Sequence, residues 1–195
     1  MIIGITGGTG CGKTTALQTI AHLGGIIIDC DKVYHDLLQT DKAMLCTIEN
    51  RFPGTVKDEA LDRKALAAIV FTDEQALHDL NSITHGAVKS KVLEMLEAKP
   101  DFAAIDAIGL FEGGLHTLCD VTVAVTAPED VRVQRLMDRD HITQQQASLR
   151  INAQKNQAYF AEKCDYVLEN TGAQADFQEK CLAFFQNLLT IKETK

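Results

Sequence analysis

The sequence predicts a three-layer α/β/α protein with a five-stranded parallel sheet, a helical segment inserted after strand two, and a helical lid. Three observations carry that expectation. Five short apolar runs alternate with helical patterns, as parallel strands require: Ile2-Ile3-Gly4-Ile5, Ile26-Ile27-Ile28, Phe102 to Ile108, Val121 to Val125, and Tyr166-Val167-Leu168. The first run feeds Gly7-Gly8-Thr9-Gly10-Cys11-Gly12-Lys13-Thr14-Thr15, which fits the G-x-x-x-x-G-K-[ST] phosphate-binding loop. The stretch from Asp31 to Lys99 reads as helical almost throughout and is too long for a simple crossover.

Each element follows from its residues. Backbone N–H groups must turn inward around a triphosphate, and glycine permits the tight turns that this needs. Ala16, Leu17, Ile20, Ala21 and Leu23 then recur at helical spacing, so the loop delivers its ligand to the positive end of a helix. Lys13 is placed to reach the β- and γ-phosphates, and the Thr14 hydroxyl to ligate Mg²⁺. A glycine-rich turn that happens to contain Lys-Thr is the plain alternative; the flanking strand and helix argue against it.

The second strand ends in Asp29-Cys30-Asp31, where ligands of open α/β sheets bind. Residues two apart share a strand face, so both acids point one way if the strand continues that far. One acid then serves as proton acceptor and the other orients water on Mg²⁺. Equally well on spacing, Asp31 merely caps the helix Lys32–Leu38. Asp62 and the Thr72-Asp73-Glu74-Gln75 capping box start two later helices, and His85-Gly86 is expected to interrupt the second of them.

Asp106 closes the third strand like a Walker B carboxylate that helps hold Mg²⁺. Thr126-Ala127-Pro128-Glu129-Asp130 reads as a helix start, and Thr143 caps a further helix carrying Arg150 and Gln154. Two helices around an Arg-bearing loop suit a lid that brings cations onto a transferring phosphate. The last helix, with Phe177, Cys181, Leu182, Phe184, Phe185, Leu188 and Leu189, is a core stripe. The core is expected at about 1–30, 101–131 and 164–195, the insertion at about 31–100 and the lid at about 132–160, all in one kinase-like unit of 195 residues.

Composition excludes other classes. A net charge of −8 argues against a general nucleic-acid or membrane binder, so an anionic substrate needs a local basic patch. The best candidate runs from Arg132 to Lys155, with Arg132, Arg135, Arg139, Arg150 and Lys155 against Asp138 and Asp140. Six scattered cysteines without a C-x-x-C pair, and no signal peptide or membrane-length run, point to free thiols and a cytoplasmic protein. The histidines form no zinc-ligand cluster. Cys11, at a helix N-terminus, is expected to have a lowered pKa and to block ATP when oxidised.

Taken together, the residues resemble the dephospho-coenzyme A kinases, relatives of the nucleoside monophosphate kinases. Five places carry the likeness, in the family's order: Thr6 to Thr15; Ile28-Asp29-Cys30-Asp31; Asn81 with His85; Asp106 through Leu110-Phe111-Glu112; and Arg139-Asp140 with Arg150-Ile151-x-Ala153-Gln154 and Asn170-x-Gly172. The family phosphorylates the ribose 3′-hydroxyl of dephospho-coenzyme A with ATP, the last step of coenzyme A synthesis. The resemblance implies Asp31 as catalytic base, with Lys13 and Arg139 catalytic, and ATP phosphates on Gly10, Cys11, Gly12, Lys13, Thr14 and Thr15. It implies Arg139 and Arg150 as lid cations, Arg150 counted toward the substrate, and Asn170 with Gly172 near the adenine. Asp29, His85, Asp106 and Glu112 are assigned to the acceptor, and Thr14 and Asp106 to Mg²⁺.

Two departures fall on the acceptor side. The family usually has His-Pro where this chain has His85-Gly86, and Pro-Leu-Leu where it has Ile108-Gly109-Leu110. A nucleoside monophosphate kinase, another small-molecule kinase and an ATP-binding regulatory protein of the same fold are the alternatives. Adenylate kinases carry an Asp-Gly-Phe-Pro-Arg segment, and GTP-binding switch proteins an Asn-Lys-x-Asp segment; this chain has neither. By analogy with small lid-closing enzymes, a monomer is expected.

Overall fold

The computed structural model describes residues 1–193. The chain divides into two compact units: residues 1–28, 100–110 and 116 onward form one, and residues 29–99 with 111–115 form the other.

The first unit is built on a five-stranded sheet. Its strands are β1 (Ile2–Thr6), β2 (Ile26–Asp29), β5 (Ala103–Asp106), β6 (Val121–Thr126) and β7 (Tyr166–Glu169), in the order β2-β5-β1-β6-β7. β1 pairs in parallel with both β5 and β6, and β6 with β7. Parallel strands need both faces covered. Accordingly Ile3, Ile5, Ala104, Val123 and Val125 are fully buried, and they pack with Ala16 and Ile20 of α1 (Lys13–His22) and with Phe177, Cys181, Phe185 and Leu188 of α9 (Gln174–Glu193). The central position of β1 decides where the phosphate loop leaves the sheet. Asp165 ties the start of β7 to β6, its carboxylate accepting from both the backbone N–H and the hydroxyl of Thr122 at 2.7 Å.

Three further helices complete this unit: α6 (Glu129–Asp140), α7 (Gln144–Asn152) and α8 (Gln157–Lys163). Leu136, Ala147 and Ile151 form a separate small core that holds α6 to α7. Thr143 opens α7 with a complete capping box to Gln146. α6 begins differently from the sequence expectation. Thr126 is spent as the last residue of β6, and Pro128 takes the capping place with no side-chain hydrogen bond.

The second unit is helical, with α2 (Cys30–Thr40), α3 (Lys42–Arg51), α4 (Arg63–Val70) and α5 (Glu74–Leu96). Asp29, Asp41, Asp62 and Asp73 cap these helices through backbone N–H groups two or three residues on. The expected Thr72 box is therefore replaced by a single Asp73 cap. The unit also holds a two-stranded hairpin, β3 (Val56–Lys57) with β4 (Ala60–Leu61), which the sequence did not announce. Its turn places Asp58 and Glu59 both at positive φ, 50° and 61°, as a type I′ turn demands.

α5 corrects a second expectation. It runs for 23 residues straight through His85-Gly86, with Ala76, Thr84, Val88 and Val92 buried along it. Packing of that stripe outweighs the intrinsic helix cost of one glycine, about 1 kcal/mol. A methyl group on Gly86 would meet nothing within 4 Å. Gly86→Ala is therefore expected to stabilise the protein by about 0.5–1 kcal/mol, read as a higher denaturation midpoint with an unchanged m-value. A lower midpoint would show that α5 needs glycine there for a reason other than conformation.

Candidate active site

The phosphate loop leaves β1 at Thr6 and closes onto α1. Gly7 and Gly12 stand at φ 138° and 102°. A Cβ on Gly7 would come within 2.2 Å of the Val125 carbonyl oxygen, and one on Gly12 within 2.2 Å of Asn170 Nδ2. Torsion and space both require glycine at these two places. Gly12 caps α1 without a side chain, and no acid lies in the first turn. The helix thus presents its positive end uncompensated. Lys13 folds back, its Nζ donating to the Gly7 carbonyl at 2.8 Å. Thr14 is exposed at the start of the helix.

Side chains from distant segments hold the loop's carbonyls. Asn170 is buried; its Nδ2 donates to the Cys11 carbonyl at 2.9 Å, and its Oδ1 accepts from Arg135 Nη2 at 3.0 Å. Arg135 Nη1 also reaches the Gly10 carbonyl at 3.3 Å. Arg132 Nε donates to the Thr9 carbonyl at 2.8 Å, and Gln154 Oε1 accepts from the Thr9 N–H at 2.8 Å. The loop is therefore held by side chains of α6, by Gln154 and by Asn170. Gly172, beyond Asn170, is exposed.

The expected basic patch is rearranged. Arg132 is buried, 3% exposed. Arg139 makes a two-pronged ion pair with Asp140 at 2.7 and 2.9 Å, and Arg150 Nη1 meets the same carboxylate at 2.6 Å. The Arg139 guanidinium, with Arg150 behind it, holds the Asp140 carboxyl below the usual carboxylate range. The signal for the loop-holding residues was present as spacing. Arg132, Arg135 and Arg139 sit at i, i+3 and i+7 on α6 and share one face. The sequence alone assigned Arg132 and Arg135 only to a general patch and gave Gln154 no contact.

Asp106 ends β5 opposite Ile5 of β1, beside the strand that feeds the loop. Mg²⁺ keeps much of its shell as water and substrate phosphate oxygen and needs only one or two protein carboxylates. The Thr14 hydroxyl and the Asp106 carboxylate suit that demand, and the glycine-lined loop suits the phosphates of a nucleotide.

In the helical unit, β2 stops at Asp29 and α2 starts at Cys30, so Asp29 and Asp31 do not share a strand face. Asp29, not Asp31, is the cap, accepting from the Lys32 N–H at 3.0 Å. That leaves the exposed Asp31 carboxylate without the capping duty, while its backbone carbonyl lies 2.7 Å from His35 Nδ1. His85 is half-buried on α5, and Glu112 is exposed in the 111–115 segment. An apolar hollow of about 200 Å³ is lined by Tyr34, Leu61, Leu66, Val70, Phe71 and Leu80, with Arg63 at the same place. Burial pushes the Tyr34 phenol up.

Strand, glycine loop and a helix that begins without a side-chain cap define a phosphate-loop nucleotide-binding fold. The family model for dephospho-CoA kinase, CoaE, matches residues 1–176, and the chain belongs to that family. A dephospho-CoA kinase from Lactobacillus acidophilus is 31% identical over 98% of both chains. Among solved structures, TT1252 from Thermus thermophilus is 30% identical with a TM-score of 0.78 over 96% of this chain and 97% of that one. Dephospho-CoA kinase from Campylobacter jejuni is 26% identical with a TM-score of 0.69 over 98% of both.

The expected lowered pKa of Cys11 is overturned. The thiol is 2% exposed, and burial pushes its pKa up, over the lowering effects of Lys13 and Arg132. Cys119 and Cys164 are pushed up to about 12 and about 11, also chiefly by burial. A raised pKa keeps a thiol protonated through neutral pH, so it is a poor nucleophile there. Iodoacetamide at pH 8 is expected to label the exposed Cys46 first, with Cys11 reacting only as the protein unfolds. Peptide mapping that found Cys11 labelled as fast as Cys46 would reverse this reading.

Proposed function

We propose that this protein transfers the γ-phosphoryl group of ATP to the ribose 3′-hydroxyl of dephospho-coenzyme A, giving coenzyme A and ADP. The observation that carries the reading is the extent of the family match. It covers residues 1–176, hence the phosphate loop, the lid helices and the whole helical insertion. No helix among the described residues is long and apolar enough to cross a membrane.

Within this reading the ribose oxygen forms the new P–O bond as the bond from the γ-phosphorus to the bridging oxygen of ADP breaks. Asp31 accepts the proton from the attacking hydroxyl. Lys13 leaves the Gly7 carbonyl for the β- and γ-phosphates, and Arg139 and Arg150 exchange Asp140 for the transferring group. Bound Mg²⁺, held by Thr14 and Asp106, would neutralise charge between the β- and γ-phosphates. Positioning and electrostatics do most of the work, because such transfer needs little covalent help. The acceptor half is supported by the apolar hollow of the helical unit. An uncharged chain fits its Leu, Val and Phe walls, and Arg63 offers a partner for a diphosphate.

The test is ADP release with ATP, Mg²⁺ and dephospho-coenzyme A, with adenosine and AMP as control acceptors and coenzyme A identified by mass. Release that follows another acceptor alone, or none, overturns the reading. Asp31→Asn is expected to lower kcat by about 10²–10⁴-fold, the usual worth of a general base, with the KM for ATP nearly unchanged. Loss of ATP binding in that variant would assign Asp31 to the metal or the fold instead.

A further inference from the structure

Arg132 is an anomaly that the reaction above does not use. A guanidinium this deeply buried is costly unless its protons find partners. Its Nε is satisfied by the Thr9 carbonyl, but Nη2 is buried and has no hydrogen-bond partner among the described residues. Burial pulls its pKa down from the ordinary arginine value, with Glu129 the nearby acid opposing that shift.

What the side chain touches is the apex of the phosphate loop. A Cβ on Gly8 would fall 2.4 Å from Nη2 and 3.0 Å from the guanidinium carbon. A Cβ on Gly10 would fall 3.0 Å from the Arg132 carbonyl oxygen. Gly8 is not among the positive-φ glycines, so its backbone does not call for glycine; the space taken by Arg132 does. Gln154 meanwhile accepts from the Thr9 N–H. Both backbone polar groups of Thr9 are thus pinned by side chains 123 and 145 residues away in sequence, from α6 and from just beyond α7.

We propose that Arg132 is a positioning residue for nucleotide binding: it fixes Gly8 to Gly10 in the phosphate-accepting conformation, and Gly8 is glycine to admit it. Arg132 acts through the loop and need not touch the nucleotide. The inference rests on ATP being the donor, as proposed above.

A double-substitution cycle tests it, with Gly8→Ala and Arg132→Met, singly and together. Each protein is read by calorimetric titration with ATP and Mg²⁺, by the KM for ATP and for dephospho-coenzyme A, and by thermal unfolding. Replacing a buried charge with an apolar side chain of similar length is often tolerated, so Arg132→Met is expected to fold. Loss of a hydrogen bond from a charged group should weaken ATP binding about tenfold. Gly8→Ala alone should do the same by displacing the guanidinium. The double variant should be no worse than Arg132→Met alone, and the KM for the acceptor should hold within about twofold. Arg132→Lys, which keeps a donor for Thr9, should recover part of the loss.

Losses that add in the double variant would overturn the inference, because Gly8 would then answer to something other than Arg132. So would unchanged ATP affinity with a lowered unfolding temperature, which is the result of a purely structural role. A parent protein that binds no ATP overturns the donor reading, and this inference with it. A parent that binds ATP while the losses add overturns this inference alone.

Discussion

A loop that binds phosphate through its backbone must keep its N–H groups turned inward, and a chain does this only if its carbonyls are held from outside. Here three side chains hold carbonyls and a fourth holds an N–H. Arg132 takes the carbonyl of Thr9, Arg135 that of Gly10, Asn170 that of Cys11, and Gln154 the N–H of Thr9. These residues come from α6, from just beyond α7 and from the turn after β7. The sheet order, with β1 central and β6 and β7 beside it, is what brings those segments to the loop. The Leu136–Ala147–Ile151 core joins α6 and α7, so the clamp depends on packing as well as polar contacts.

The phosphate loop was legible in the sequence because its requirements are local. Glycine spacing, one lysine, a strand before and a helix after are written within one consecutive stretch, Ile2 to Leu23. The central strands β1, β5 and β6 were legible as short apolar runs because a parallel sheet buried on both faces leaves no polar alternation to blur them, and the edge strands β2 and β7 are apolar runs although Ile26, Tyr166 and Val167 are exposed. The insertion was read correctly as mostly helical, yet its hairpin was not. Asp58 and Glu59 adopt the left-handed pair of a type I′ turn without the Asn-Gly or Asp-Gly that advertises one. His85-Gly86 failed in the opposite sense: a strong breaker signal gave way to a buried stripe.

The site was only half legible. Asp29 and Asp31 looked equivalent because one residue decides whether strand alternation or helix periodicity applies, and the boundary falls between Asp29 and Cys30. The fate of each arginine was hidden for another reason. A sequence shows charge but not burial, so Arg132 under the loop, Arg135 beside Asn170, and Arg139 on Asp140 all read as one patch. The same blindness made Cys11 look reactive. Its place at a helix start favours the thiolate, but its burial disfavours it more strongly.

One carboxylate, Asp140, engages two guanidiniums at the end of α6. Under the proposed transfer, anion capture by those arginines is an exchange reaction rather than a filling of vacant sites. An incoming anion must offer more than a carboxylate already in place. Monovalent anions of similar basicity gain little by that trade, whereas a phosphoryl group with several charged oxygens gains at each guanidinium. Under the proposed transfer, Asp140 sets a threshold that a simple monovalent anion does not cross and a polyphosphate does.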